Sequence, residues 1–256
     1  MRAGRVALGG AVGTVAVAGA AASVMVVQGL VAKRRRYLSS DLAPPASGTF
    51  GSGRTLRLVV FGDSTAAGIG VKSTTETVGG RLAELLAAAG RRVELTSVAV
   101  SGSRASDLHA QVNRALVHGA PDVAVVLVGG EDAIAFTPID VVEAEIEDAL
   151  RRLTAAGAAV VVGTCPDLAA ARNFSRPLRE IMAWSGRRVA AVTERATVRA
   201  GGVAVDLATR AGAVFRADPG ALSADGYHPS ADGYQLWALA LYPAVFEACR
   251  AGSTRG

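Results

Sequence analysis

Aromatic side chains make up only 5% of the 256 residues. The chain therefore lacks the stacking platforms that single-stranded nucleic acids require. Cysteine occurs twice, at Cys165 and Cys249, too few for a disulfide framework; the pair reads as two buried thiols or one bridge. Asparagine also occurs only twice, at Asn113 and Asn173. No internal repeat of fixed period is present. The excess of positive charge, +5 overall, is missing from most of the chain: residues 1–54 hold seven basic residues against Asp41, whereas residues 55–256 hold 20 basic and 21 acidic. The high isoelectric point thus belongs to the N-terminal segment, and the remainder offers no electrostatic basis for binding nucleic acid.

Charge is also absent from residues 6–32, where Thr14, Ser23 and Gln28 are the only polar side chains. A bilayer core needs about 20 apolar residues, so this segment is long enough for a single-pass anchor. A cleaved signal peptide is the rival reading, with Ala20-Ala21-Ala22-Ser23 as the cleavage region. The apolar run continues through residues 24–27, which favours the anchor. Arg2, Arg5 and the amino terminus flank one side and Lys33-Arg34-Arg35-Arg36 the other, a margin of one charge toward the second flank being cytoplasmic. Residues 1–36 thus read as an anchor or signal segment, residues 37–54, rich in Ser, Pro and Gly, as a flexible tether, and residues 55–256 as one domain.

Half of the chain is apolar, enough for a full α/β core. Valine-rich runs fall at 56–61, 93–100, 122–128, 158–163 and 202–207 and suit strands buried on both faces. Helical patterns lie between and after them, at 78–90, 105–118, 138–157, 177–200 and 231–249. Gly90 and Gly157 stand just past two of these, and Pro138 and Pro177 near the starts of two others. The alternation predicts a three-layer α/β/α sandwich around a five-stranded parallel sheet.

In such a sheet, functional groups gather beyond the carboxyl ends of the strands. Leu58-Val59-Val60-Phe61 runs into Gly62-Asp63-Ser64; the second strand ends at Ser101-Gly102-Ser103-Arg104, and the third at Gly129-Gly130-Glu131-Asp132. Asp225-Gly226-Tyr227-His228 lies on the loop before the last helix. A serine, a histidine and an aspartate on one edge supply a nucleophile, a base and a group that orients the base. These four blocks, in this order, resemble the SGNH (GDSL-type) hydrolases over essentially all of 56–249. The resemblance implies a flavodoxin-like fold and ester hydrolysis without a metal or other cofactor. It implies Ser64 as nucleophile, His228 as base and Asp225 as its orienter, with the backbone N–H groups of Ser64 and Gly102 in the oxyanion hole. The partner so implied is a small-molecule or lipid ester.

One position departs from that family's pattern: Glu131 stands where an asparagine is usual. An amide donates a hydrogen bond to a developing oxyanion, whereas an ionised carboxylate has no donor and repels it. Loss of one such donor costs about 10²–10³ in rate. The expected activity is that of a slow esterase, the alternative a weakened family member that binds an acylated or lipid ligand. Other polar residues have plainer roles: Asp63 and Asp132 hold loops, His109 and His118 sit on a helix surface, and Arg104 is solvated or pairs with Glu131. Gly68-Ile69-Gly70 lacks the lysine of a phosphate-binding loop. Substrate choice falls to loops 65–77, 131–138 and 166–177.

Overall fold

The computed structural model describes residues 43–253. The apolar segment 6–32, the whole of the anchor region and the start of the tether lie outside the described residues. Six strands form one sheet: β1 (Ser47–Phe50), β2 (Arg54–Gly62), β3 (Arg91–Ser97), β4 (Val123–Leu127), β5 (Ala159–Gly163) and β6 (Val203–Val205), in the order β1-β3-β2-β4-β5-β6. From β3 to β6 every neighbouring pair is parallel, and the strand order matches the flavodoxin pattern.

The expected five-stranded parallel sheet is thus corrected to a six-stranded mixed one. The additional strand, β1, comes from within the stretch read as a tether. It pairs antiparallel with β3, Phe50 opposite Val93 and Ser47 opposite Thr96. Only four residues long, with its side chains half-buried or exposed, it leaves no apolar run to read. The turn into β2 passes close to the backbone: at Gly53, φ is +103° and a Cβ would lie 2.5 Å from the carbonyl oxygen of Gly90, so only glycine fits.

Strand alternation divides the core in two. Val59, Phe61, Ala124, Val126, Val160 and Val162 point to one face, and Leu58, Val60, Val123, Val125, Leu127 and Val161 to the other. The first face is covered by helices α2 (Leu108–Leu116), α4 (Ile139–Ala155) and α5 (Leu178–Arg199). The second is covered by α1 (Val78–Ala88), α6 (Leu207–Ala217) and α7 (Ala231–Ser253). Sheet and helices make the three layers expected from the pattern. Helix α3 (Gly130–Ala135) sits at the end of β4.

Two helices escape sequence periodicity. Helix α3 has only six residues, too few to establish a period. Helix α6 contains Gly212, yet Leu207, Ala211 and Phe215 form a buried stripe at four-residue spacing, and Asp206 caps its start by accepting from the Thr209 N–H at 3.0 Å. Among the described residues no helix is long and apolar enough to cross a membrane. Cys165 and Cys249 are both buried; they are thiols, not a bridge.

Candidate active site

The site begins where β2 stops. Gly62 is its last residue, with φ +133°, and a Cβ there would overlap the carbonyl oxygen of Leu127 on β4 at 1.7 Å. Glycine alone lets the chain leave the strand at this point and turn into Asp63-Ser64. Asp63 locks the turn: its N–H donates to Leu127 O at 3.0 Å, and its Oδ1 accepts from the Thr65 N–H at 2.9 Å and from Thr65 Oγ1 at 2.7 Å. Burial pushes the Asp63 carboxyl up to about 6, against the two Thr65 hydrogen bonds that lower it; nearby Glu131 adds a smaller upward push.

Ser64 is presented at the edge, only 5% exposed. Its Oγ lies 2.9 Å from His228 Nε2, and His228 Nδ1 lies 2.6 Å from Asp225 Oδ2. The other Asp225 oxygen accepts from the N–H groups of Tyr227 and His228, both at 2.9 Å, and from Ser223 Oγ at 2.8 Å. Burial opposes ionisation of Asp225, but these bonds, led by that to His228, outweigh it and hold the carboxyl far below its ordinary range. Asp225 is therefore an anion whose lone pairs are spoken for on every side, which fixes the imidazole against the serine. Behind them, Tyr234 Oη donates to Ile69 O at 2.6 Å and pins the loop after Ser64 to α7.

The second and third blocks reach the same edge. Gly102, with φ +82°, tops the turn after β3. The backbone N–H groups of Ser64 and Gly102 have no hydrogen-bond partner among the described residues. Glu131, in the first turn of α3, is partly buried and lines the same cavity as Ser64. Asp132, fully buried, accepts from the Ala105 N–H at 2.9 Å and so ties the third block to the second. Arg104 is exposed and forms no ion pair with Glu131 among the described residues. His109 is bonded to Glu145 at 2.6 Å on the helical surface and His118 is exposed; neither reaches the site.

Gln111 was not singled out from sequence. Buried on α2, it accepts from the Gly62 N–H at 2.7 Å, donates to Gly62 O at 2.8 Å, and reaches Ser103 Oγ at 3.2 Å. It clamps the end of β2 to the turn after β3, and so sets the spacing between Ser64 and Gly102. The available signal was a polar residue set among Leu108, Val112 and Ala115 on the apolar face of a helix.

Beside Ser64 the cavity is mostly apolar. Leu127, Leu207, Phe215, Leu222 and Trp237 form much of its wall, with Asp63, Thr164 and Asp167 as polar members. A hydroxyl bonded to an imidazole that is itself oriented by a carboxylate, with two backbone N–H groups that have no partner among the described residues, is a constellation that suits acyl transfer.

The described residues fold as an α/β protein of the three-layer sandwich type. Residues 60–236 match the GDSL-like lipase/acylhydrolase family, and the chain belongs to that family. It is 38% identical to a GDSL-like esterase of Mycobacterium tuberculosis over 225 residues, covering 82% of this chain and 72% of the relative. Among solved structures it resembles a lipase/acylhydrolase from Enterococcus faecalis (TM-score 0.62, 22% identity, 74% of this chain and 95% of that one). It also resembles an acetylxylan esterase from Geobacillus stearothermophilus (TM-score 0.57, 21% identity, 75% and 95%). At these identities the structural likeness speaks for the fold alone.

Proposed function

We propose that the protein hydrolyses carboxylic esters by a serine-dependent, two-step acyl transfer. The observation that carries this reading is the continuous relay from Ser64 Oγ through His228 to Asp225, at 2.9 and 2.6 Å. The esterase and acylhydrolase names of its relatives support it.

Ser64 Oγ attacks the ester carbonyl carbon while His228 Nε2 takes the hydroxyl proton. Asp225 holds Nδ1–H and stabilises the imidazolium that forms. The carbonyl oxygen, now negative, is received by the N–H groups of Ser64 and Gly102. Collapse of the tetrahedral intermediate breaks the C–O bond to the alcohol, which leaves with the proton from His228. Water, deprotonated by the same imidazole, then attacks the acyl-serine; the acid departs and Ser64 regains its proton.

Glu131 is the weak point of this hole. It stands where the family usually places an amide, and only its protonated form donates. The enzyme is accordingly a slow esterase. The second reading, a family member that mainly binds an acylated or lipid ligand, rests on the same residue together with the apolar wall of Leu207, Phe215 and Trp237. The uncharged run 6–32 supports attachment of this domain to a membrane, where lipid esters are at hand. A fluorophosphonate probe separates the two readings: labelling confined to Ser64 establishes the nucleophile, and absence of labelling in the folded chain leaves only the binding role.

A further inference from the structure

Positive charge in the folded domain is concentrated beside the site. Residues 55–256 hold 20 basic and 21 acidic side chains, yet residues 166–188 hold five arginines against Asp167 and Glu180. Three of these arginines, Arg172, Arg176 and Arg179, line a groove together with Arg216 from α6. Two of the four are neutralised: Arg176 pairs with Glu180 at 2.8 Å, and Arg216 with Asp167. Arg172 and Arg179 have no acidic partner among the described residues; Arg179 spends only its Nε, on Phe174 O at 3.0 Å. At the far end of α5, by contrast, Arg195 and Arg199 are held by Glu143 and Glu147.

The groove adjoins the site cavity. Ala170 lines both the groove and the cavity that holds Ser64, and Asp167, which holds Arg216, lies in that cavity. Arg172 is tied to the site loop itself: its N–H donates to Gly226 O at 2.8 Å, between Asp225 and His228. Its backbone position is therefore set by the loop that presents the imidazole, while its side chain is exposed. In acyl transfer the imidazole returns its proton to the leaving alcohol, so the alcohol portion of a bound ester passes the His228 loop.

We propose that the Arg172–Arg179 groove binds an anionic group, phosphate or carboxylate, carried by the alcohol portion of the ester substrate. This rests on the reading of Ser64 as the nucleophile that opens the ester. The guanidinium fork of arginine matches both anions, and the apolar cavity wall receives the acyl chain. A glycerol ester bearing a phosphate is an example of the class.

The test uses the full chain in neutral detergent micelles, comparing monobutyrin with butyryl-glycerol phosphate by release of butyric acid. The wild type favours the phosphorylated ester by about 10-fold in kcat/KM, mostly through KM, and the preference shrinks as salt screens it. Arg172→Glu abolishes the preference, Arg172→Lys retains part of it, and Arg179→Gln reduces it. Binding of butyryl-glycerol phosphate to the Ser64→Ala chain, by calorimetry, reads the groove without turnover. If both esters are hydrolysed in a Ser64-dependent way but equally well, or the preference survives Arg172→Glu, the groove assignment is overturned while the hydrolase stands. If neither is hydrolysed yet calorimetry shows binding that Arg172→Glu removes, the groove stands and the hydrolase reading fails. Phosphatidylglycerol added to the micelles separates the two sources of anion. Should it lower KM for monobutyrin in the wild type and not in Arg172→Glu, the groove reads a lipid headgroup and the substrate assignment is overturned.

Discussion

Ser64 Oγ and His228 Nε2 lie 2.9 Å apart although 164 residues separate them in the chain. One stands at the end of β2, the other on the loop leading into α7, and the imidazole is held in place by Asp225 from behind. Removing the parts of this relay should therefore have graded effects. Ser64→Ala abolishes hydrolysis of short p-nitrophenyl esters and labelling by a fluorophosphonate. Asp225→Asn lowers kcat by about 10²–10⁴, because the imidazole loses its anionic partner and its tautomer. Stopped assays alongside circular dichroism check this; labelling at another serine in the Ser64→Ala chain would remove Ser64 from its role.

On the proposed reading of Glu131 as the occupant of the oxyanion position, Glu131→Asn supplies an amide donor there in place of a carboxylate. The expected result is a rise in kcat/KM of about 10–10³-fold. An unchanged or lowered rate assigns Glu131 a constructive part in the site.

Gln111→Ala strips the Gly62 N–H and the Ser103 hydroxyl of a buried partner. Each unsatisfied group costs about 1–3 kcal/mol, and a cavity is left in the face of α2. Thermal unfolding should move down by several degrees. In the folded fraction kcat should fall with KM little changed, since the loops that carry Ser64 and Gly102 lose the clamp between Gly62 and Ser103. A kcat equal to that of the wild type would show that the clamp serves stability alone.

Asp63 makes stability depend on pH. Its carboxyl is raised to about 6 from an ordinary 3.8, so between those values the folded chain binds the proton and the unfolded chain does not. Stability contributed by the protonated form is complete below about pH 3.8 and is lost as pH rises to 6 and beyond, by about 3 kcal/mol at most. Asp225 works in the opposite sense: its depressed carboxyl contributes stability above its unfolded value that is lost as the pH falls. Asp63→Asn should therefore melt higher than the wild type at pH 8 and equal it at pH 4. A constant difference across that range would rule out the Asp63 titration.

Residues 6–32 should hold the full chain in the membrane fraction through high salt and carbonate. Mature protein recovered from the medium with its N-terminus after about residue 23 would make the segment a cleaved signal instead.

The layers of this fold were legible because their cause is local. Leu58–Phe61 and Val123–Leu127 are apolar on both faces since both faces of the sheet are covered, and Leu82–Leu86 or Ile146–Leu150 repeat at the spacing of a helix. Ser64, Asp225 and His228 could be singled out as candidates because each follows or precedes an element whose end the sequence marks and because their blocks resemble a known family; their hydrogen-bonded contact is a matter of tertiary structure. What only the tertiary structure decided are contacts between segments that carry no periodic signal. The strand β1 exists because β3 offers it an open edge, not because Ser47–Phe50 is apolar. Helix α6 forms despite Gly212 because Leu207, Ala211 and Phe215 are buried against the sheet and α7. Gln111 became a clamp only when α2 packed beneath Gly62 and Ser103. Arg172 and Arg179 came to line a groove only when α6 brought Arg216 beside them. Local sequence sets what each element is; which polar groups meet, and which cations are left without an acid, depends on how the elements pack.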